Sequence, residues 1–342
     1  MRPNDSLRAK RPPARASSLL GIAALVALGV RLGEARSTEP QSGDTDRYFP
    51  RVLTPIYEFG HPGPEPGLLR LPSGLAVGKE DFLYIADTGH HRIQIVAMNG
   101  LPRGSFGRFG QGPGEFSFPS ALGAAPDGAI YVADLAGRLQ AFSPEGQFLK
   151  AWDGFRGPRG VAVSADRIFV TEGDLHRIRV LSRKDGTDEA WGGLGVQPGR
   201  FLSPTGIAVD EEGAIYVADT GNHRIQKLGA DGKPLAQWGT WGAQGGLLSF
   251  PTGLGYAAGR VTVADTGNHR LQVWDRSGTF LRQWGAPPAV AGQGAGRLHF
   301  PEALAVTPSG GLIAVAEPVD SRIQVFGNRE VDSGRRVNDL PW

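Results

Sequence analysis

IYVADTGNHRIQKL, residues 215–228, carries the reading of the fold. Ile215 and Val217 fall on one side of an extended chain, and beyond the turn Ile225 alternates with Gln226. Period-two patterning of this kind, rich in Val, Ile and Tyr and broken by a Gly-containing turn, specifies two short strands and not a helix. Five further stretches repeat it: LYIADTGHHRIQIV (83–96), IYVADLAGRLQAF (130–142), IFVTEGDLHRIRVL (168–181), VTVADTGNHRLQVW (261–274) and IAVAEPVDSRIQVF (313–326). Their acidic landmarks, Asp87, Asp134, Glu172, Asp219, Asp265 and Glu317, lie 38 to 52 residues apart. A recurrence of that length marks a solenoid or a propeller. Each copy has room for four short strands: a G-x-A-V strand opened by Pro (Gly206 to Val209), the Y-V-A-D strand, the R-I-Q strand and an aromatic-Gly strand such as Leu235 to Gly239. Four antiparallel strands per copy make a propeller blade. The expected fold is therefore all-β, a six-bladed β-propeller of four-stranded antiparallel blades.

The spacing also predicts how the ring closes. The fourth-strand aromatic follows the acidic landmark by 19 residues in copies one, three, four and five (Phe106, Trp191, Trp238, Trp284) and by 18 in copy two (Trp152). The same step from Glu317 reaches Arg336 in a polar tail, so copy six lacks its fourth strand. Ahead of copy one, TPIYEFG (Thr54 to Gly60) is an unclaimed aromatic-Gly strand whose Phe59 precedes Asp87 by 28 residues, as Phe106 precedes Asp134. The amino-terminal strand is expected to complete the last blade and so remove the open sheet edges.

The 51 glycines and 26 prolines among 342 residues then read as turn positions, since 40% of the chain is hydrophobic and no collagen-like period is present. With no cysteine, disulfides, thiol nucleophiles and Cys-ligated zinc are excluded. Residues 1–36 hold seven basic and two acidic groups, whereas residues 37–327 hold 26 basic against 29 acidic, so the basic pI belongs to the leader. A slightly acidic folded part is poorly suited to polyanion binding, which rests on many Lys and Arg contacts. In the leader, five basic residues precede the apolar run LLGIAALVALGV (Leu19–Val30), too short for the roughly 20 residues that span a bilayer and matching the apolar core of an export signal. The expected organisation is a signal peptide or N-terminal membrane anchor over 1–36, a linker over 37–50, the propeller over 51–328 and a polar tail over 329–342. Export to the periplasm or extracellular space follows, or tethering at the inner membrane with the N-terminus in the cytoplasm.

The combination of P-T-G-I-A-V (Pro204–Val209), Y-V-A-D-T-G-N-H-R-I-Q (Tyr216–Gln226) and an aromatic-Gly pair resembles the NHL repeat, whose members build six-bladed propellers. The resemblance covers roughly residues 51–328. Copies one, four and five are nearly ideal, while copy two has Gly137 in place of the His and copies three and six carry Glu172 and Glu317 in place of Asp. Because the Asp, His and Arg recur around the ring, they are read as framework: the Asp accepting turn N–H groups, the Arg pairing with it.

Function is expected where the blades differ, at the residue after the Pro that opens each first strand: Ser73, Ser120, Arg159, Thr205, Thr252 and Glu302, taken as ligand-binding positions at the channel mouth. In the peptide-amidating lyases that the resemblance also touches, zinc-ligating His occupies these positions, and none here is His. In lactonase-like propellers calcium takes several carboxylate and amide ligands, and here only Glu302 offers a carboxylate; calcium needs six to eight oxygens. His61 and His299, near blade junctions, are read as surface or hydrogen-bonded residues. Residues 156–184 carry seven basic groups (Arg156, Arg159, Arg167, Arg177, Arg179, Arg183, Lys184) against three acidic ones, read as a solvated face rather than an RNA-binding one. The expectation is an extracytoplasmic binding or scaffold module for a protein, peptide or glycan, touching the membrane only through an uncleaved leader. No catalytic residue, metal, cofactor or nucleic-acid partner is expected. The alternative is a divergent propeller enzyme, a metal-dependent lyase or lactonase-like hydrolase.

Overall fold

The computed structural model describes residues 53–285 and 295–327. The expected leader (1–36), linker (37–50) and tail (329–342) lie outside the described residues. Six four-stranded antiparallel sheets make up the fold, and five of them pair their strands in sequence order along the chain. In the first blade these are Pro72–Val77, Leu83–Asp87, Arg92–Val96 and Pro102–Phe106. The sixth combines Ala303–Val306, Leu312–Glu317 and Arg322–Gly327 with Thr54–Phe59 from the other end of the chain. The expected closure is thus present, in the register of an ordinary blade: Phe59 stands opposite Ile323 as Phe106 stands opposite Ile93 and Trp238 opposite Ile225. First strands of successive blades touch all the way round, and the first also touches the last, so they line the central axis.

The core is six interlayers, one between each pair of neighbouring blades. Tyr216, Ile225 and partly buried Trp238 of blade four meet Leu254, Val263 and Trp274 of blade five, and the same arrangement recurs at the other five junctions. Each fully buried aliphatic or aromatic side chain contributes about 1.5–3 kcal/mol. Close approach explains two of the recurrent glycines. A Cβ on Gly206 would lie 2.2 Å from the Thr252 carbonyl oxygen of the next blade. On Gly278, at φ +92°, a Cβ would lie 2.6 Å from the Trp238 indole, whose flat face covers that turn.

The acidic landmark ends the second strand and leads into a single turn of 3-10 helix, which closes at a residue in the left-handed region: His91, His176, His223, His269 and Ser321, with φ between 52° and 57°. Blade two has Gly137 there at φ +95°, in a turn one residue shorter. The missing His of copy two is thus a glycine where the backbone favours one. The short interval between Asp134 and Glu172 has an equally local cause. Only residues 154–157 connect blade two to blade three, where 60–71, 107–118 and 239–250 make the corresponding links. The rim of that face is therefore notched between blades two and three.

Candidate functional site

Pro72, which opens the first strand of blade one, pairs with Asp87, which ends the second. Strand-1 starts and the turns between second and third strands therefore share one face, and Ser73, Ser120, Arg159, Thr205, Thr252 and Glu302 stand round the mouth of the axis on it. They divide into two sets. The hydroxyls reach across blade boundaries: Ser73 Oγ donates to the Ser120 carbonyl (3.2 Å), Ser120 Oγ to Pro158 O (3.0 Å), Thr205 Oγ1 to Thr252 O (3.0 Å) and Thr252 Oγ1 to Glu302 O (2.7 Å). In blades one, four and five a turn threonine completes the lock, through the pairs Ser73–Thr88, Thr205–Thr220 and Thr252–Thr266 at 2.5–2.7 Å.

The charged members, Arg159 and Glu302, belong to blades whose turn has lost that threonine. Gly173 stands there in blade three and Pro318 in blade six. The Arg159 stem lies over Gly173, in the space a turn side chain would need. Arg159 is exposed, and the carboxylate of largely buried Glu302 accepts no hydrogen bond among the described residues. Burial raises the Glu302 carboxyl above the ordinary carboxylate range, and the charge of Arg159 opposes that rise. Blades three and six are opposite in a ring of six, so the mouth carries one cation and one anion facing each other. Blade counting contained this opposition, but it becomes apparent only once the four hydroxyls are seen to be engaged with the framework.

The repeated Asp and Arg are framework, as expected, and the repeated Gln joins them. Asp219 is fully buried and accepts from the Leu202 N–H (2.7 Å), Arg224 Nε (2.7 Å), Gln226 Nε2 (2.9 Å) and Asn222 Nδ2 (2.9 Å), tying the incoming loop to the turn and the third strand. Asp265 repeats the set through Ser249, Arg270, Gln272 and Asn268. In blade six Glu317 accepts from the His299 N–H, Arg322 and Gln324, its longer arm reaching the same donors. The basic residues of blade three are largely paired: Arg177 with Glu172, Arg179 with Asp188, Arg183 with Asp127 and Lys184 with Asp166. His61 has an exposed side chain, whereas His299 contacts Asp320 at 3.2 Å and stacks on His269.

Sequence reasoning missed what the histidines do. The ring Nδ1 of His176, His223 and His269 accepts the backbone N–H of Ser203, Phe250 and Phe300 on the following blade, at 2.9, 3.1 and 3.2 Å. Ser321 Oγ serves Leu71 in the same way across the closure, at 3.5 Å. An accepting Nδ1 must be unprotonated. Desolvation accordingly lowers the His223 and His269 imidazoles below the ordinary 6.5, against the pull of Asp265 and Asp219 in the first case and aided by His299 in the second. A depressed folded value means that the unfolded chain takes up protons first. The staples thus contribute fully above pH about 6.5 and are lost as pH falls through the lower folded values. We expect the melting temperature to drop between pH 7.5 and 5, and the drop to shrink in the His223→Asn/His269→Asn double variant; equal slopes in thermal scans of the two proteins would refute the assignment.

The same face is apolar. Of thirteen large hydrophobic side chains exposed among the described residues, seven lie in the loops that enter first strands and two, Leu175 and Val319, in the turns between second and third strands. Phe109, Leu194 and Trp241 are 69%, 66% and 70% exposed. Leu71, Phe250 and Phe300, each just before an opening Pro, hold left-handed backbone at φ 47–51°. Non-glycine residues rarely adopt that conformation. His91 packs edge-on against Phe109 and Phe118, and His223 and His269 pack on Phe250 and Phe300.

The family model of the NHL repeat matches residues 69–96, 201–228 and 248–274, which span the loop end and first three strands of blades one, four and five. Three blades of this six-bladed β-propeller carry NHL repeats. The three blades without a match are those whose repeats depart from the consensus at Gly137, Glu172 and Glu317. No curated protein is similar to this NHL propeller at a significant level. Solved structures share its fold at low identity. A Bacteroides thetaiotaomicron protein of unknown function is 14% identical with a TM-score of 0.62, over 80% of this chain and 75% of that one. A streptogramin B lyase is 15% identical with a TM-score of 0.57, over 80% and 98%. A virginiamycin B lyase from Staphylococcus aureus is 12% identical with a TM-score of 0.51, over 74% and 79%. Among the described residues, no three His, Asp or Glu side chains converge as a metal site, and no helix is long and apolar enough to cross a membrane.

Proposed function

We propose that this NHL propeller is an exported binding module that holds a protein, peptide or glycan against the face carrying the first-strand starts. The observation that carries this reading is the concentration of exposed aromatic and aliphatic side chains on that face. A soluble monomer rarely exposes a large contiguous apolar surface without a partner for it, and aromatic residues anchor interfaces. The export element rests on the charge and length of the leader. The lyase reading draws on the fold shared with the streptogramin and virginiamycin lyases; a metal held in stoichiometric amount by the purified protein would favour it.

The test compares two double variants in affinity capture with the propeller as bait. Phe109→Ser/Trp241→Ser lies on the face, and Leu149→Ser/Leu235→Ser lies on fourth strands away from it. Because all four side chains are exposed, each change is expected to alter stability by about 0.5 kcal/mol or less. We expect the first variant to lose partners retained by wild type and by the second. Identical partner sets from both variants would reject this face.

A further inference from the structure

The channel mouth holds two charged groups that the framework does not use. Arg159 and Glu302 come from opposite blades, neither side chain has a hydrogen-bond or ion-pair partner among the described residues, and no ion pair joins them. The Glu302 backbone is held on both sides, its N–H donating to Ala316 O (3.0 Å) and its carbonyl accepting the Thr252 hydroxyl, which fixes where the side chain starts at the mouth. Arg159 is steered along its own turn by the gap above Gly173. The four other mouth residues direct their hydroxyls into the ring, so the polar chemistry the mouth presents is one guanidinium and one carboxylate, set apart across it. Beside Arg159 the link of residues 154–157 is shorter than the links 60–71, 107–118 and 239–250, which leaves a small molecule room to enter there.

We propose that Arg159 and Glu302 form a binding site for a small dipolar molecule, its carboxylate on the Arg159 guanidinium and its ammonium on the Glu302 carboxylate. A partly buried carboxylate without a partner is costly, and a ligand with complementary ends would relieve that cost at Glu302 while its carboxylate pairs with the exposed Arg159 guanidinium. A guanidinium offers a planar fork that matches a carboxylate. A purely anionic ligand would leave Glu302 unmatched and repelled; a purely cationic one would do the same to Arg159. Walls of low dielectric around the mouth concentrate the field of both charges. Burial favours the protonated form of the Glu302 carboxyl, and a ligand ammonium beside it would draw it back toward the carboxylate.

This inference rests on the reading of the face as a binding face, and its test is separable from that one. Binding of glycine, 4-aminobutyrate and 6-aminohexanoate is measured by calorimetry on the purified propeller, with acetate and methylamine as single-charge controls; the series spans the separations a dipolar ligand offers. We expect saturable binding of at least one of the three, no comparable binding of either control, and at least a roughly tenfold loss in Arg159→Gln and in Glu302→Gln, since hydrogen bonds to charged groups are the strong ones. Each variant is checked for an unchanged melting temperature, and Arg159→Lys, which keeps the charge, is expected to retain part of the affinity. Binding by none of the three, equal binding of acetate, or indifference to both substitutions overturns the site. Capture of a partner by wild type but not by Phe109→Ser/Trp241→Ser, with no dipolar binding, removes this site while leaving the proposed function standing.

Discussion

Deletion of residues 51–60 is expected to leave no soluble monomeric propeller, or one that melts more than about 10 °C lower. Thr54–Phe59 supplies the fourth strand of the last blade, pairing Thr54 with Gly327 and Phe59 with Ile323. Without it Arg322–Gly327 becomes an edge with unpaired backbone groups, an invitation to association. The loss is also one of core, because Tyr57 and Phe59 pack on the cluster between blades six and one, beside Leu69, Leu83 and Ile323. Both rings are partly buried, so losing each costs at most the roughly 3–5 kcal/mol of a fully buried aromatic, and in a domain of this size each kcal/mol moves the melt by about 2–4 °C. The decisive arm is a rescue: residues 51–60 moved by a short linker to follow Gly327 should restore the wild-type melt. If the deletion melts like wild type, or the transplanted strand restores nothing, closure by this strand is wrong.

Asp219→Ala should destabilise by about 3–5 kcal/mol, the range for removing one partner of a buried ion pair. The carboxylate has no exposure, and its removal strands Arg224 and Gln226, both buried, together with the Leu202 N–H. The other partners of Arg224, at Val196, Gln197, Arg200 and Gln237, hold its guanidinium in place and so prevent it from escaping to water. Asp219→Asn keeps an acceptor without the charge and should fall between alanine and wild type. Asp231→Ala is the control: its pair with Lys233 is exposed on both sides and should move the urea midpoint little. A midpoint for Asp219→Ala as close to wild type as that of the control would remove the repeated carboxylate from the framework.

How much was legible in the sequence differs between fold and site. Blade number, strand order and closure follow from Asp87 to Glu317 and from the step to Phe106, Trp191 and Trp238 because strands are patterned locally and the repeat samples that pattern six times. The framework roles of Asp219 and Arg224 were legible for the same reason. The histidines were not: His223 and His269 staple the next blade through Phe250 and Phe300, partners 27 and 31 residues away that no local pattern connects. The mouth was half legible. Its six positions follow from the opening prolines, but the engagement of Ser73, Ser120, Thr205 and Thr252 depends on carbonyls of the neighbouring blade.

By itself the sequence determined an NHL-type ring of six blades, its seam and its framework, because each rests on alternation and spacing within a few tens of residues. The tertiary structure alone decided which apolar side chains meet water and which charges face each other. Phe109 and Phe116 bridge in one loop, as do Trp241 and Leu248 in another, yet the first of each pair is exposed and the second buried. Sequence treats such neighbours alike, since burial depends on what the next blade brings against them. Arg159 and Glu302 likewise become a pair only when the ring closes, for their relation runs across the axis and not along the chain.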